Sequence, residues 1–176
     1  MKNKEGGFKR RLKALYYLAV RGSGTPEYIA RGWAIGMFCG CFIPFGVQLI
    51  ISIPAAIILK GSKIGASVGT LITNPVTIFF IYPMQCYVGN RIVGGSLSWS
   101  KIESALTNLT GKDLSFVDAV NEFISLGWEL MIAFFVGGAL LTAIMTPLTY
   151  FAVKKMVIRY REFRARRIAA KSGLAK

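Results

Sequence analysis

The residues of this chain that could do chemistry sit in unusual company. Gln48, Thr73, Asn74, Thr77 and Gln85 are amides and hydroxyls set inside two apolar blocks, 32–59 and 64–90, neither of which holds a charged residue. Such side chains bind by donating and accepting hydrogen bonds, and they stay neutral at physiological pH. The sequence has no histidine, which removes the commonest general base and metal ligand. No acid lies between Arg31 and Lys101, so a carboxylate proton relay through the blocks is not expected. Cys39, Cys41 and Cys86 form no Cys-x-x-Cys pair and read as small buried residues rather than a disulfide frame or zinc site. Ser52 and Ser67 have no base in prospect to activate them. No catalytic residue, metal or cofactor is therefore expected, and the chain reads as a non-enzyme. The expected chemistry is reversible binding of a polar group by Gln48, Thr73, Asn74, Thr77 and Gln85, with Thr70 and Tyr82 beside them.

The elements that carry these residues are broken ones. Uncharged apolar runs of about 20 residues or more read as membrane segments. A continuous helix over 32–59 would be about 42 Å long at 1.5 Å per residue, more than the hydrocarbon thickness of roughly 30 Å. Pro44 removes a backbone donor and Gly46 loosens the chain, so a sharp break is expected at 43–46. Two arms near half a membrane each follow, which is the pattern of a re-entrant helical hairpin. The second block repeats the device: Thr73-Asn74-Pro75 interrupts it, Pro83 is expected as a further kink and break, and Pro54 kinks the returning arm of the first block. Irregular backbone at membrane depth must be buried in protein or wetted, because lipid cannot satisfy it. Gly32, Gly36 and Gly40 recur every fourth residue, and Gly65 and Gly69 do the same. Such spacing places the glycines on one face, where a second helix can approach closely. A weak internal repeat relates Gly36 to Gly65, Gly40 to Gly69 and Pro54 to Pro83, whereas Pro44 and Pro75 match at a different offset.

Charge supplies the topology. The net charge of +14 is concentrated at the ends: seven Lys or Arg against one acid in 1–21, and nine against one in 154–176. Over 53% of the residues are apolar, so this is not the composition of a soluble nucleic-acid binder, and no nucleic-acid motif accompanies the basic ends. The N-terminal stretch lacks the apolar run of a cleavable signal. The reading is an all-α integral membrane protein in five parts. A basic amphipathic segment, 1–24, precedes a broken-helix core, 25–96, in which a re-entrant hairpin is followed by a broken crossing helix. An extracytoplasmic loop, 97–126, leads to a transmembrane helix, 127–153, and a basic helical tail, 154–176. Both tails and the Lys60–Lys63 turn should lie on the cytoplasmic side, with Trp33 inside and Trp99 and Trp128 outside.

Thr25-Pro26, Ile29-Ala30, Gly32, Ala34, Gly36, Phe38, Gly40, Pro44, Gly46 and Gln48, in that order, resemble a bacterial membrane family catalogued as domain of unknown function 2062. Thr70, Thr73-Asn74-Pro75, Thr77, Tyr82-Pro83, Tyr87 and Gly89 continue the resemblance. The chain departs from it at Lys60-Gly61-Ser62-Lys63, where the family's turn commonly carries Arg-x-Asn. The resemblance implies a bacterial cytoplasmic-membrane protein and brings no activity with it.

Two functions are compatible with these residues. One is the movement or flipping of a small solute or lipid intermediate through a polar site where the breaks meet, since paired broken segments point to midplane sites in transporters. The other is a non-catalytic scaffold or accessory subunit. Membrane lipids are the expected partners, with anionic headgroups at the basic termini. A second copy or another membrane protein is expected on the glycine-rich faces.

Overall fold

The computed structural model describes residues 23–44, 47–71, 73, 75–100, 102–104 and 127–173. The N-terminal amphipathic segment, Gly46, Asn74 and most of the 97–126 loop fall outside these residues. The main helices are α1 (Pro26–Phe42), α2 (Gln48–Ile58), α3 (Lys63–Thr70), α4 (Pro75–Val93) and α5 (Trp128–Gly173). Every one of these elements is helical. By length and composition, α5 is the one helix among the described residues sufficient to cross a membrane.

Local chemistry sets the ends. Thr25 caps α1, its hydroxyl accepting from the Tyr28 N–H at 3.2 Å, with Pro26 opening the first turn and Glu27 in it. The helix stops at Phe42, and Ile43 is extended at φ −107°, ψ 136°. Pro44 disfavours helical geometry in the residue before it, so the stop is dictated by sequence. α2 closes in a Schellman motif: the N–H groups of Gly61 and Lys60 bond the carbonyls of Ala56 and Ile57, and Lys60 takes the left-handed conformation at φ 51°. Ser62 then caps α3 by accepting from the Gly65 N–H. α3 ends in a tight turn in which the Thr73 N–H bonds the Thr70 carbonyl at 3.2 Å. Pro75 is the first residue of α4, the position that tolerates it best.

The hairpin, the short third helix and the fourth helix then assemble by backbone contact. The Ser62 N–H donates to the Tyr28 carbonyl at 3.0 Å, which returns the base of the hairpin to the start of α1. From there α3 climbs α1 in the same direction. A Cβ added at Gly32 would overlap Ser62, one at Gly36 the Ala66 carbonyl, and one at Gly69 would stand 2.7 Å from the Trp33 carbonyl oxygen. α4 continues that direction beyond the break. α5 runs antiparallel along both. It meets α1 through Ile29, Ala30, Val153 and Val157. It meets α4 where Gly89 lies on the Ala133 carbonyl and Gly137 on the Gln85 carbonyl. A second apolar cluster, Ile78, Tyr82, Cys86, Leu130 and Phe134, fills that crossing together with Ile102 from the loop.

Two expectations are modified. Pro54 and Pro83 lie inside α2 and α4, which continue through them. A single proline removes one hydrogen bond and bends a helix without ending it when the flanking turns are packed. Pro83 is therefore not a break, whereas Pro44 and Pro75 stand at true ends. The basic tail is also not a separate element: α5 has 46 residues and passes from Trp128 to Gly173 without interruption. At the junction Lys154 pairs with Glu27 at 3.0 Å, and Arg161 donates to the Gly24 carbonyl at 2.6 Å. Its own backbone N–H and the Lys154 ammonium hold the Glu27 carboxyl below the ordinary carboxylate range. Exposed pairs of this kind add little stability and mainly fix position.

The glycine contacts carry a measurable consequence. Gly36→Ala would bring a methyl group against backbone atoms of Ala66 and Gly69, which cannot rotate away. We expect a loss of about 1–3 kcal/mol, the usual cost of overpacking, read by thermal or denaturant unfolding of the purified chain.

Candidate polar site at the helix breaks

The stop of α1, the start of α2 and the end of α3 meet in one place. Gly40 makes this possible: a Cβ there would lie 2.9 Å from Thr73 Oγ1 and 3.4 Å from Thr70 Cα. Without that side chain the broken end of the second block seats directly on α1. Thr73 is then opposite Gln48, the first residue of α2. The Thr73 hydroxyl is 3.0 Å from Gln48 Oε1 and equally 3.0 Å from the Thr70 carbonyl. Gln48 Nε2 returns a long bond of 3.4 Å to the Thr73 carbonyl. Thr70 in turn donates to the Ser67 carbonyl at 2.7 Å. All three side chains are buried.

This arrangement answers a backbone problem. Pro44 and Pro75 have no N–H, and chain ends buried beside them need polar partners. Gln48 and Thr73 supply them from side chains, and the Tyr82 hydroxyl donates to the Ile43 carbonyl at 3.4 Å. The Tyr82 ring packs edge-on against Phe134, with centroids 5.0 Å apart. The breaks are thus tied to each other and, through α4, to α5.

The expected site residues divide between two locations. Gln48 and Thr73 are joined, with Thr70 and Tyr82 alongside. Thr77 is half-buried on the first turn of α4. Gln85 is elsewhere: it lies at the α4–α5 crossing, where Nε2 donates to the Phe134 carbonyl at 2.9 Å. A carbonyl partner requires the amide nitrogen on that side, so Oε1 points away and has no partner among the described residues. A buried acceptor left in that condition costs about 1–3 kcal/mol. Gly138 creates the space for this amide, since a Cβ there would meet Gln85 Nε2 at 2.7 Å.

Some contacts had little sequence signal. Arg31 Nη1 donates to the Leu59 carbonyl at 3.2 Å and ties the two feet of the hairpin, a pairing across 28 positions that spacing does not show. The Gly89–Gly137–Gly138 crossing could have been sought from its small residues, but a GlyGly pair also reads as a flexible link.

Chemically, the junction offers neutral donors and acceptors. A glutamine amide can make four hydrogen bonds, and Gln48 makes two among the described residues. The remaining capacity suits a polar group with both donors and acceptors, such as a hydroxyl or a headgroup.

The Gln48–Thr73 link is testable by a double-mutant cycle of Gln48→Ala and Thr73→Ala, read by unfolding. Neighbours sharing a buried hydrogen bond should be non-additive by about 0.5–3 kcal/mol. Strict additivity would mean that the two side chains act apart.

Residues 9–166 match the family described as "Uncharacterized protein conserved in bacteria (DUF2062)". No curated protein and no solved structure matches the chain.

Proposed function

The chain belongs to this family of bacterial proteins, and on that premise we propose that it is an integral membrane protein that moves or flips a small solute or a lipid intermediate past the polar junction of its broken helices. The observation that carries this reading is the meeting of both breaks at Gln48 and Thr73, buried polar groups inside an otherwise apolar scaffold. The outward faces support the membrane placement. Ile50, Ile57, Ile58, Phe80, Leu148 and Phe151 are all exposed, on several helices, and soluble monomers rarely show contiguous apolar surface on that scale. Cations gather at one end, where Lys60, Lys63 and Lys154 stand level with the start of α1. In this reading that end is cytoplasmic. The hairpin of α1 and α2 dips in and returns, α3 and α4 cross as a broken pair, and α5 crosses back.

A specific observation favours a second reading. Gln48 and Thr73 bond each other directly, and a pair joined in this way also serves as a static latch. The chain would then act as a scaffold or accessory subunit for a larger membrane assembly.

Orientation can be checked with Lys60→Cys rather than a change at Gly61, which packs on Gly32. An impermeant maleimide should label it only after the cells are opened, and labelling of intact cells would remove the hairpin topology. The native thiols Cys39, Cys41 and Cys86 are buried and free.

Function can be read in proteoliposomes with a fluorescent short-chain phospholipid and an external quencher. Wild type should accelerate loss of the inner-leaflet signal, and Gln48→Ala and Asn74→Ala should abolish the acceleration at unchanged incorporation and with the folded state retained. Variants that lose only the folded state or a co-purifying partner chain would place the latch reading first.

A further inference from the structure

We propose that the turn at the base of the hairpin is a docking point for an anionic phospholipid, with Lys60, Lys63 and Arg31 holding the phosphate and Ile57, Ile58 and Ile64 receiving the acyl chains. This rests on the membrane placement given above and not on the polar junction.

The first observation is a backbone one. Lys60 occupies the left-handed position that closes the Schellman motif, at φ 51°. Glycine is the residue that adopts this conformation without strain, and it commonly stands there. A glycine does follow, but Gly61 is committed elsewhere: a Cβ on it would lie 3.0 Å from the Gly32 nitrogen and 3.1 Å from Ile35. The chain thus keeps a lysine in a strained position when the fold itself asks only for a residue with no side chain. Strain held at a surface turn points from structure toward function.

The second observation is charge without an answer. Arg31 uses one donor on the Leu59 carbonyl, which brings its guanidinium to the same turn. Lys63 follows three residues later and is exposed. Glu27, the acid at this end of α1, is taken by Lys154. Neither Lys60 nor Lys63 has an acidic partner among the described residues.

The third observation selects the ligand. The cations sit directly against apolar surface that no described residue covers: Ile58 is 77% exposed, Ile64 59% and Ile57 54%. A soluble anion or a nucleic acid would gain nothing from those side chains. A phosphate joined to acyl chains matches both surfaces at once, and attraction of this kind is worth roughly fivefold in affinity per cation.

Trp33 provides the reporter, because its ring lies against Gly65, two residues past Lys63. In a Trp99→Phe, Trp128→Phe background it is the sole indole. The full chain is reconstituted in phosphatidylcholine bilayers doped with equal amounts of brominated-chain phosphatidylglycerol or brominated-chain phosphatidylcholine. Phosphatidylglycerol should quench Trp33 more strongly. Lys60→Gly should cut that preference roughly fivefold while the unfolding midpoint holds or rises, and adding Lys63→Gln and Arg31→Gln should bring the two lipids to parity. Equal quenching of the parent protein by both lipids overturns the proposal. So does a preference that survives the turn changes and disappears with Arg164→Gln, Arg166→Gln and Arg167→Gln, which would move the site to the C-terminal helix. Quenching by neither lipid would remove the membrane placement itself, and the docking point with it.

Discussion

Direct contact between the backbones of α1 and α3 is the constraint on which the other features depend. In the membrane placement proposed above, helices would gain nothing from excluding water, so association would come from close packing and weak polar contacts. Gly32, Gly36 and Gly40 on one side and Gly61, Gly65 and Gly69 on the other bring main chains together where side chains would hold them apart. That approach fixes the height of α3 on α1. Thr73 arrives at Gln48 only because Gly40 lets it, and the start of α4 is placed by the same contact. The α4–α5 crossing repeats the method with Gly89, Gly137 and Gly138.

Backbone satisfaction is the second requirement, and the two ends of the hairpin meet it differently. At the base it is achieved mostly within the main chain, by the Schellman bonds and the link from the Ser62 N–H to Tyr28, with the Ser62 hydroxyl and Arg31 as the side chains involved. At the breaks it is achieved by side chains, Gln48, Thr73 and Tyr82, because prolines have removed main-chain donors. The base is therefore rigid by construction. The breaks depend on three side chains that could in principle re-pair, which is the physical difference between a hinge and a foot.

Much of this was legible in the sequence because the determining residues are of types with few uses. Pro44 with Gly46 and Pro75 after Asn74 are clustered breaker residues, so both prolines were readable as ends. Glycines four apart define a face, so the α1–α3 contact was readable as an opportunity for packing, though not its partner. Pro83 misled for a related reason. A proline signals the loss of one bond, and whether the helix survives depends on packing by Tyr82, Cys86 and Phe134 that only the fold shows. Gln85 was grouped with the junction because it is a buried amide of the same block, but it lies nearly three helical turns, about 15 Å, along α4 from Pro75 and faces α5. Arg31, Glu27 and Arg161 were readable only as charges, since their partners lie far off in sequence and include backbone carbonyls.

The uninterrupted course of α5 has a consequence for how its charges act. At 1.5 Å per residue, Arg167 stands about 20 Å along the helix from Lys154. Electrostatic attraction at physiological ionic strength fades over about 8 Å. If α5 leaves a bilayer along its normal, Lys154 and Lys155 are within reach of the surface and the distal arginines are beyond it. A run that reads as one basic tail then becomes two zones: one feels the membrane, and the other projects a separate field into the aqueous phase whose strength is set by salt.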